Sequence, residues 1–505
     1  MSLASLSRTR KRAWGLASGL VYTAVSLCVG FLATPWLLLW LGPERFGSYR
    51  VLLDWFGYLP LLELGLGASL LALLASAIGR SEASAVRNLL WAGLRAYSRV
   101  TLGMVAAAVG LVVALPKLVS LELVSSDELR RAGLILFTVF LVTPLSVFRA
   151  LTEAEQRGYI VNVLLVIQSV LMTGLLLATA WAGWGLVGQS LATVVAQLPA
   201  VLILTGLGMR AYPGVWSAVP DAASTKALWA LNWPTLAHNI SGRIGLLSDN
   251  VIVAWVLGPV AVVPFYLTQR LTTMAQAQLQ GLGNATWAGL AELHAQGQFK
   301  TFRLRLVELT GMVSGLGVAV LGPIAAYNPH FIERWVGPVA FAGEAVNLIA
   351  CANVWLWSLS SLWGWPLAGT GHIGRWVPYA VVFTLVNVVV SIAGTLVLGL
   401  VGPLLGTLVG FLLVSAWALP WVLNQVFVVS PWTLWRAALT PLAWGVPYAA
   451  IMWLLARAHT PWGWFGLATE MSLAALGGLA LWWTLSLSAT DRTLWVIRVR
   501  GVLSQ

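Results

Sequence analysis

Residues 228–259 read LWALNWPTLAHNISGRIGLLSDNVIVAWVLGP. The run is mostly apolar and, as a helix, long enough to cross a bilayer core of ~30 Å. It nevertheless carries Asn232, Asn239, Arg243 and Asn250, spaced by 7, 4 and 7 residues. At ~100° per residue these four fall within about 40° of one line along the helix. An arginine near the bilayer midplane costs ~2.5–3.5 kcal/mol on insertion scales, so such a stripe faces protein or a water-filled cavity rather than lipid. Arg243 is then expected to line an aqueous cavity that receives an anionic substrate, the alternative being a polar clamp between helices.

Working outward, similar apolar runs recur along all 505 residues, of which 59% are hydrophobic and only 9% charged. A soluble domain carries ~25% charged residues. The pattern predicts an all-α polytopic membrane protein of about fourteen transmembrane helices, at 13–40, 50–76, 88–115, 131–154, 158–180, 184–209, 227–257, 262–290, 304–327, 344–368, 375–399, 403–428, 434–458 and 462–487. The basic, then apolar, start resembles a secretory signal, but its apolar part is long and lacks a small-residue cleavage site, so a retained first helix is expected. Cys28 and Cys351 both fall inside spans, which argues against a disulfide framework.

The net charge of +12 would suit nucleic acid if it were clustered on a soluble face. With the N-terminus placed inside, as Arg8, Arg10, Lys11 and Arg12 indicate, inner segments hold 20 of the 29 Lys and Arg, outer loops seven, and Arg243 and Arg270 lie within spans. This positive-inside bias predicts cytoplasmic termini and no nucleic-acid partner. The 29 tryptophans fit two membrane interfaces.

The quoted run also holds one half of a repeat. Val256-Leu257-Gly258-Pro259 matches Trp40-Leu41-Gly42-Pro43 at an offset of 216, and Gly402 before span twelve matches Gly185 before span six at 217. Duplication of a six-helix unit follows, with both copies entering from the same side. The expected organisation is a basic N-terminus (1–12), an N-lobe (13–209, helices 1–6), a connector (210–226), a C-lobe (227–428, helices 7–12), helices 13–14 (429–487) and a basic tail (488–505).

Signatures of soluble enzymes are missing: no lysine follows a glycine as a P-loop needs, the five histidines form no HExxH, and there is no DxD pair. Chemistry is therefore sought inside the bilayer. Gln269, Thr273, Gln276, Gln280 and Asn284 lie within ~80° of one another on the eighth span, a second stripe beside that of Asn232, Asn239, Arg243 and Asn250. Asp249 and Arg270 sit at similar depth on either side of the short turn 258–261, and Asp54 occupies the repeat position of Arg270. The three are expected to form an exchangeable ion-pair network closing one side, or a structural salt bridge. Glu63, in Glu63-Leu64-Gly65-Leu66-Gly67, is a candidate proton or Na+ coupling site, a helix-packing residue or a substrate contact. No cofactor is expected. Trp355, Trp357, Trp363 and Trp365 serve either as interfacial anchors or as platforms for sugar rings.

Several short patterns resemble the Wzx-type polysaccharide flippases of the MOP (multidrug, oligosaccharidyl-lipid, polysaccharide) exporter superfamily. They are Pro35…Leu41-Gly42…Glu44…Phe46-Gly47…Tyr49, then Glu63-Leu64-Gly65-Leu66, Asp249 before Leu257-Gly258 with Arg270 after it, and Phe331-Ile332…Trp335-Val336-Gly337. Leu367-Ala368-Gly369-Thr370-Gly371 with Arg375, and Gly402-Pro403…Gly406-Thr407, complete the set. The resemblance implies two six-helix lobes around a central cavity plus two trailing helices, working by alternating access. It also implies a bacterial inner-membrane location, a polyprenyl-diphosphate-linked oligosaccharide as substrate, membrane lipids and polysaccharide-assembly proteins as partners, and a functional monomer that is not an enzyme. The first span lacks the charges that lipid II flippases resemble one another in carrying there, which favours a surface or exopolysaccharide intermediate. A small-molecule or multidrug exporter of the same superfamily is the alternative. A membrane glycosyltransferase or polymerase, with Glu44 as its outer carboxylate, is the other.

Overall fold

The computed structural model describes residues 3–63, 65–119, 121–218, 225–226, 228–229, 233–487 and 492–493. Every regular element among them is helical. The principal α-helices are α1 (Leu3–Gly57), α2 (Leu66–Gly79), α3 (Ala83–Leu118), α4 (Ser126–Phe137), α5 (Ser146–Ala154), α6 (Gly158–Trp181) and α7 (Gly185–Ala211). They continue as α8 (Trp233–Leu257), α9 (Pro259–Thr268), α10 (Arg270–Ala295), α11 (Phe299–Val336), α12 (Glu344–Gly369) and α13 (Val377–Leu398). The last are α14 (Gly402–Gly410), α15 (Ala416–Phe427), α16 (Pro431–Ala458) and α17 (Gly463–Leu481).

Among the described residues ten helical runs are long and apolar enough to cross a membrane, or eleven if 236–245 and 247–257, bent by 42°, count as one span. The expected fourteen differs from this count for two physical reasons. Ala17–Glu63 and Val377–Phe427 are single runs of 47 and 51 residues, where one crossing needs ~20, and each is broken by a left-handed glycine, Gly42 (φ 75°) and Gly399 (φ 61°). The expected span 262–290 is divided between α9 and the glutamine-bearing α10, which is not among the apolar runs.

The chain packs into two compact units: unit 1 is Met1–Leu236 with Leu257–Val262, and unit 2 is Ala237–Val256 with Val263–Gln505. Within unit 1 the turn after Gly42 is heavily tied. The Glu44 carboxylate accepts the backbone N–H groups of Glu122 (2.8 Å), Leu123 (2.7 Å) and Val124 (3.1 Å). Arg45 makes a two-point bond to Glu128 at 2.9 and 3.2 Å, and Tyr49 Oη lies 2.8 Å from Thr193 Oγ1. Gly47 has no room for a side chain, since a Cβ there would lie 1.9 Å from the Pro259 carbonyl oxygen.

Within unit 2, Gly402, Gly406 and Gly410 make one bare face of α14, which lies on α13. A Cβ on Gly402 would come within 2.1 Å of Thr395 N, and one on Gly406 within 2.1 Å of Ser391 Oγ. Small residues four apart let two membrane helices approach closely and let short polar groups bond across the seam. Here Asn387 Nδ2 donates to Thr407 Oγ1 at 2.8 Å and Ser391 Oγ donates to the Pro403 carbonyl at 3.1 Å. The trailing helix α16 packs along α11 in the same manner, with Ser314 Oγ donating to the Ala438 carbonyl and Gly445 against Val318.

The repeat is written in backbone conformation. Left-handed residues pair as Gly42 with Gly258, Ser81 with Gly297 and Gly183 with Gly399, each pair 216 apart, and as Gln156 with Gly371, 215 apart. Helix ends repeat with them: Glu82 N–H reaches Ala77 O and Gln298 N–H reaches Leu293 O, while Arg157 reaches Thr152 and His372 reaches Leu367. These are the long closing bonds of a helix that ends in a left-handed residue. The pair Gly185 and Gly402 does not share a conformation (φ 55° against −51°), so Gly183 and Gly399 are the structural equivalents.

Candidate functional site

Four helical faces of unit 2 line a pocket of about 140 Å³ whose walls carry both polar and apolar groups. Gly245 and Asp249, one turn apart on α8, form one wall. Gln269, Thr272, Thr273 and Gln276, on one side of α10 and the residue before it, form the second. Asn353 and Trp357 come from α12, Leu404 and Thr407 from α14. Each set is spaced by three or four residues, so one helix face supplies each wall. Ligand clefts are commonly ~300–1,000 Å³, so this one suits a single small group of a larger ligand.

Its polar atoms are oriented by their own helices. Gln269 Nε2 donates to the Phe265 carbonyl at 3.1 Å, and the Thr272 and Thr273 hydroxyls donate to the Gln269 carbonyl at 2.9 and 2.8 Å, which leaves hydroxyl lone pairs as acceptors. Asn353 is 6% exposed; its Nδ2 donates to the Leu404 carbonyl at 2.9 Å, and its Oδ1 has no hydrogen-bond partner among the described residues. A buried acceptor without a partner is costly, and a ligand hydroxyl would satisfy it. Trp357 is fixed edge-on by Phe383 and Phe411, with centroids 6.3 and 5.6 Å away. Amides, hydroxyls, a carboxylate and one indole face are groups that can replace water around a sugar ring.

Of the residues expected from sequence, Asp249, Gln269 and Gln276 come together here. Arg243 and Asn239 are exposed on another side of α8, since Gly245 and Asp249 lie ~120–160° around the helix from Arg243. Asn250 is half-buried beside Asp249, and Gln280 lies one turn beyond the pocket on α10. Asn232 lies outside the described residues. Arg270 Nη1 donates to Tyr266 Oη at 3.2 Å. Asp54 is buried in α1 of unit 1. Glu63 ends the 3-10 turn Leu59–Glu63, which interrupts the expected second span between Gly57 and Leu66. Asn353, Thr272 and Thr407 complete the pocket without having been expected. Asn353 could have been noticed, with Asn347, as an amide deep in an apolar helix, and Thr407 as the residue after Gly406.

Glu44, the carboxylate available to an enzyme, is occupied by the three N–H groups of residues 122–124. Among the described residues no group of three or more His, Cys, Asp or Glu could hold a metal ion. Cys28 and Cys351 are both free thiols.

The sequence profile of the polysaccharide biosynthesis protein family matches residues 15–287, more than half of the chain. No curated protein matches it. Among solved structures, the lipid II flippase MurJ in an inward closed conformation aligns with a TM-score of 0.70 at 10% identity, covering 93% of this chain and 98% of that one. An inward-facing multidrug resistance MATE family transporter of the MOP superfamily aligns at 0.59 and 14% identity, covering 86% and 98%. An outward-facing one aligns at 0.56 and 15%, covering 87% and 96%. Identities this low speak for fold rather than substrate. By profile the chain belongs to the polysaccharide biosynthesis protein family, and by structure it has the fold of MOP-superfamily transporters.

Proposed function

We propose that the protein moves a polyprenyl-diphosphate-linked oligosaccharide from the inner to the outer leaflet by alternating access, in the assembly of a surface or exopolysaccharide. The observation that supports this reading is the unit 2 pocket, where Asp249, Gln269, Gln276, Asn353 and Trp357 bring amides, a carboxylate and an indole together. A drug exporter would have less use for so many hydrogen-bonding groups around one small volume. In this reading one sugar unit at a time rests in the pocket, Arg243 meets the diphosphate, and the prenyl chain stays in lipid. The charge bias supports cytoplasmic termini. The Glu63 carboxylate, at a broken helix, is proposed to carry the coupling H+ or Na+, because interrupted membrane helices expose backbone carbonyls beside their side chains.

Deletion of the gene in its host tests the proposal. The expected outcome is loss of a surface polysaccharide, with its lipid-linked intermediate accumulating in the membrane, and recovery by wild type but not by Asp249→Ala. Normal polysaccharide together with new drug sensitivity would instead make the protein an exporter of small molecules.

A further inference from the structure

Unit 1 holds a pocket of about 390 Å³ that the transport proposal leaves unused. Its main wall is α3, which contributes Trp91, Arg95, Ser98 and Arg99, positions that fall within ~100° of the helix circumference. Pro144 closes it from the 3-10 segment Thr138–Leu145, and Trp216 from the short turn Val215–Ser217. The Arg95 guanidinium lies 5.0 Å over the Trp91 ring, and Trp216 meets Trp91 edge-on at 5.7 Å. Both arginines are exposed, and among the described residues neither has a carboxylate partner.

Depth identifies what could fill it. From Val100 through Pro116 α3 carries no charge, about 26 Å of helix and close to the thickness of a hydrocarbon core. Arg99 and Lys117 bracket that stretch. The two guanidiniums thus stand at one membrane boundary, the level of lipid phosphates, beside two indoles of the kind that prefer this interface. Arginine binds phosphate through parallel N–H bonds, and an aromatic face beneath it holds the guanidinium in place.

We propose that this pocket binds the phosphate of a membrane lipid, with Arg95, Ser98 and Arg99 on the phosphate oxygens and Trp91 and Trp216 against the lipid stem. The shared chemistry is a lipid-borne phosphate, whether of a resident anionic phospholipid or of a polyprenyl diphosphate. The site belongs to unit 1 and stands whether or not unit 2 carries a glycan.

Native mass spectrometry of the purified full chain tests this, with dioleoylphosphatidylglycerol, polyprenyl diphosphate, dioleoylphosphatidylcholine and inorganic diphosphate offered in turn. Wild type is expected to hold one or both anionic lipids at least tenfold better than phosphatidylcholine. Arg95→Gln with Arg99→Gln should lose that adduct at least tenfold, and Arg95→Lys with Arg99→Lys, which keeps the charge but neither the fork nor the stacking, should weaken it to a smaller degree. Loss of the phosphatidylglycerol adduct would assign the site to a resident phospholipid, and loss of the polyprenyl diphosphate adduct to a prenyl carrier. Equal anionic-lipid adducts in wild type and the glutamine variant would overturn the proposal. So would equal binding of phosphatidylcholine, or an adduct with inorganic diphosphate alone.

Discussion

At Glu44 three backbone N–H groups converge on one carboxylate that is 4% exposed. Truncation to alanine strands those donors, each at ~1–3 kcal/mol if water does not reach it. Glu44→Ala is therefore expected to lower the Tm of the purified protein by several degrees, and transport to fall only in proportion to the folded fraction. An unchanged Tm with transport abolished would return Glu44 to the chemistry. In the pocket the effects should be reversed. Asn353→Ala and Trp357→Ala are expected to slow transport by about tenfold, ~1.4 kcal/mol, with Trp357→Phe close to wild type; wild-type rates in both alanine variants would remove the pocket from the path. Gln269 and Gln276 stood out in the sequence because polar residues in membrane helices are conspicuous and these share a period, whereas Asp249 was expected in an ion-pair network with Arg270 and Asp54. Which way a stripe turns is not written in its period, and so Arg243 and Asn239 could be grouped correctly on one face yet stand away from the pocket wall. Asn353 and Asn347 lie ~120° apart on their helix, so they form no stripe that would reveal either.

Among the elements, the α13–α14 seam depends on hydrogen atoms where side chains would be. Gly406→Val is expected to abolish folded protein on size-exclusion chromatography, because its Cβ would meet Ser391 Oγ at 2.1 Å and the Asn387 carbonyl at 2.6 Å. Gly103→Ala, at an open position on α3, should be silent; equal behaviour of the two would contradict the close-packed seam. The 3-10 turn Leu59–Glu63, followed by the left-handed Gly65 (φ 82°), marks a broken span. Glu63→Gln is expected to leave the protein folded and remove any acceleration of transport by an imposed proton or sodium gradient. Retained acceleration would leave Glu63 as a packing residue. Helix type and the repeat were legible from apolar runs and the two Leu-Gly-Pro turns. Span ends expected at 40 and 50 and at 399 and 403 bracket the left-handed Gly42 and Gly399, whereas the division of 262–290 between α9 and α10 had no hydrophilic loop to mark it. The break at Leu59–Glu63 was hidden as well, because Pro60 is tolerated inside many membrane helices.

The whole molecule joins two repeats of helical hairpins, related by left-handed turns about 216 residues apart, to two trailing helices packed on α11. Its family and its fold were both within reach of the sequence, because apolar runs and ordered short motifs carried the resemblance. The cargo is the part that fold does not encode, since one scaffold serves several substrates. The most direct test of lipid-linked glycan flipping uses proteoliposomes containing the purified protein and a labelled polyprenyl-diphosphate oligosaccharide. A glycan-modifying enzyme added outside reports how quickly inner-leaflet lipid becomes accessible. The expected result is faster exposure with wild type, at least tenfold slower with Arg243→Ala and with Trp357→Ala. No acceleration by wild type for any glycan lipid, with or without an ion gradient, would contradict the proposal.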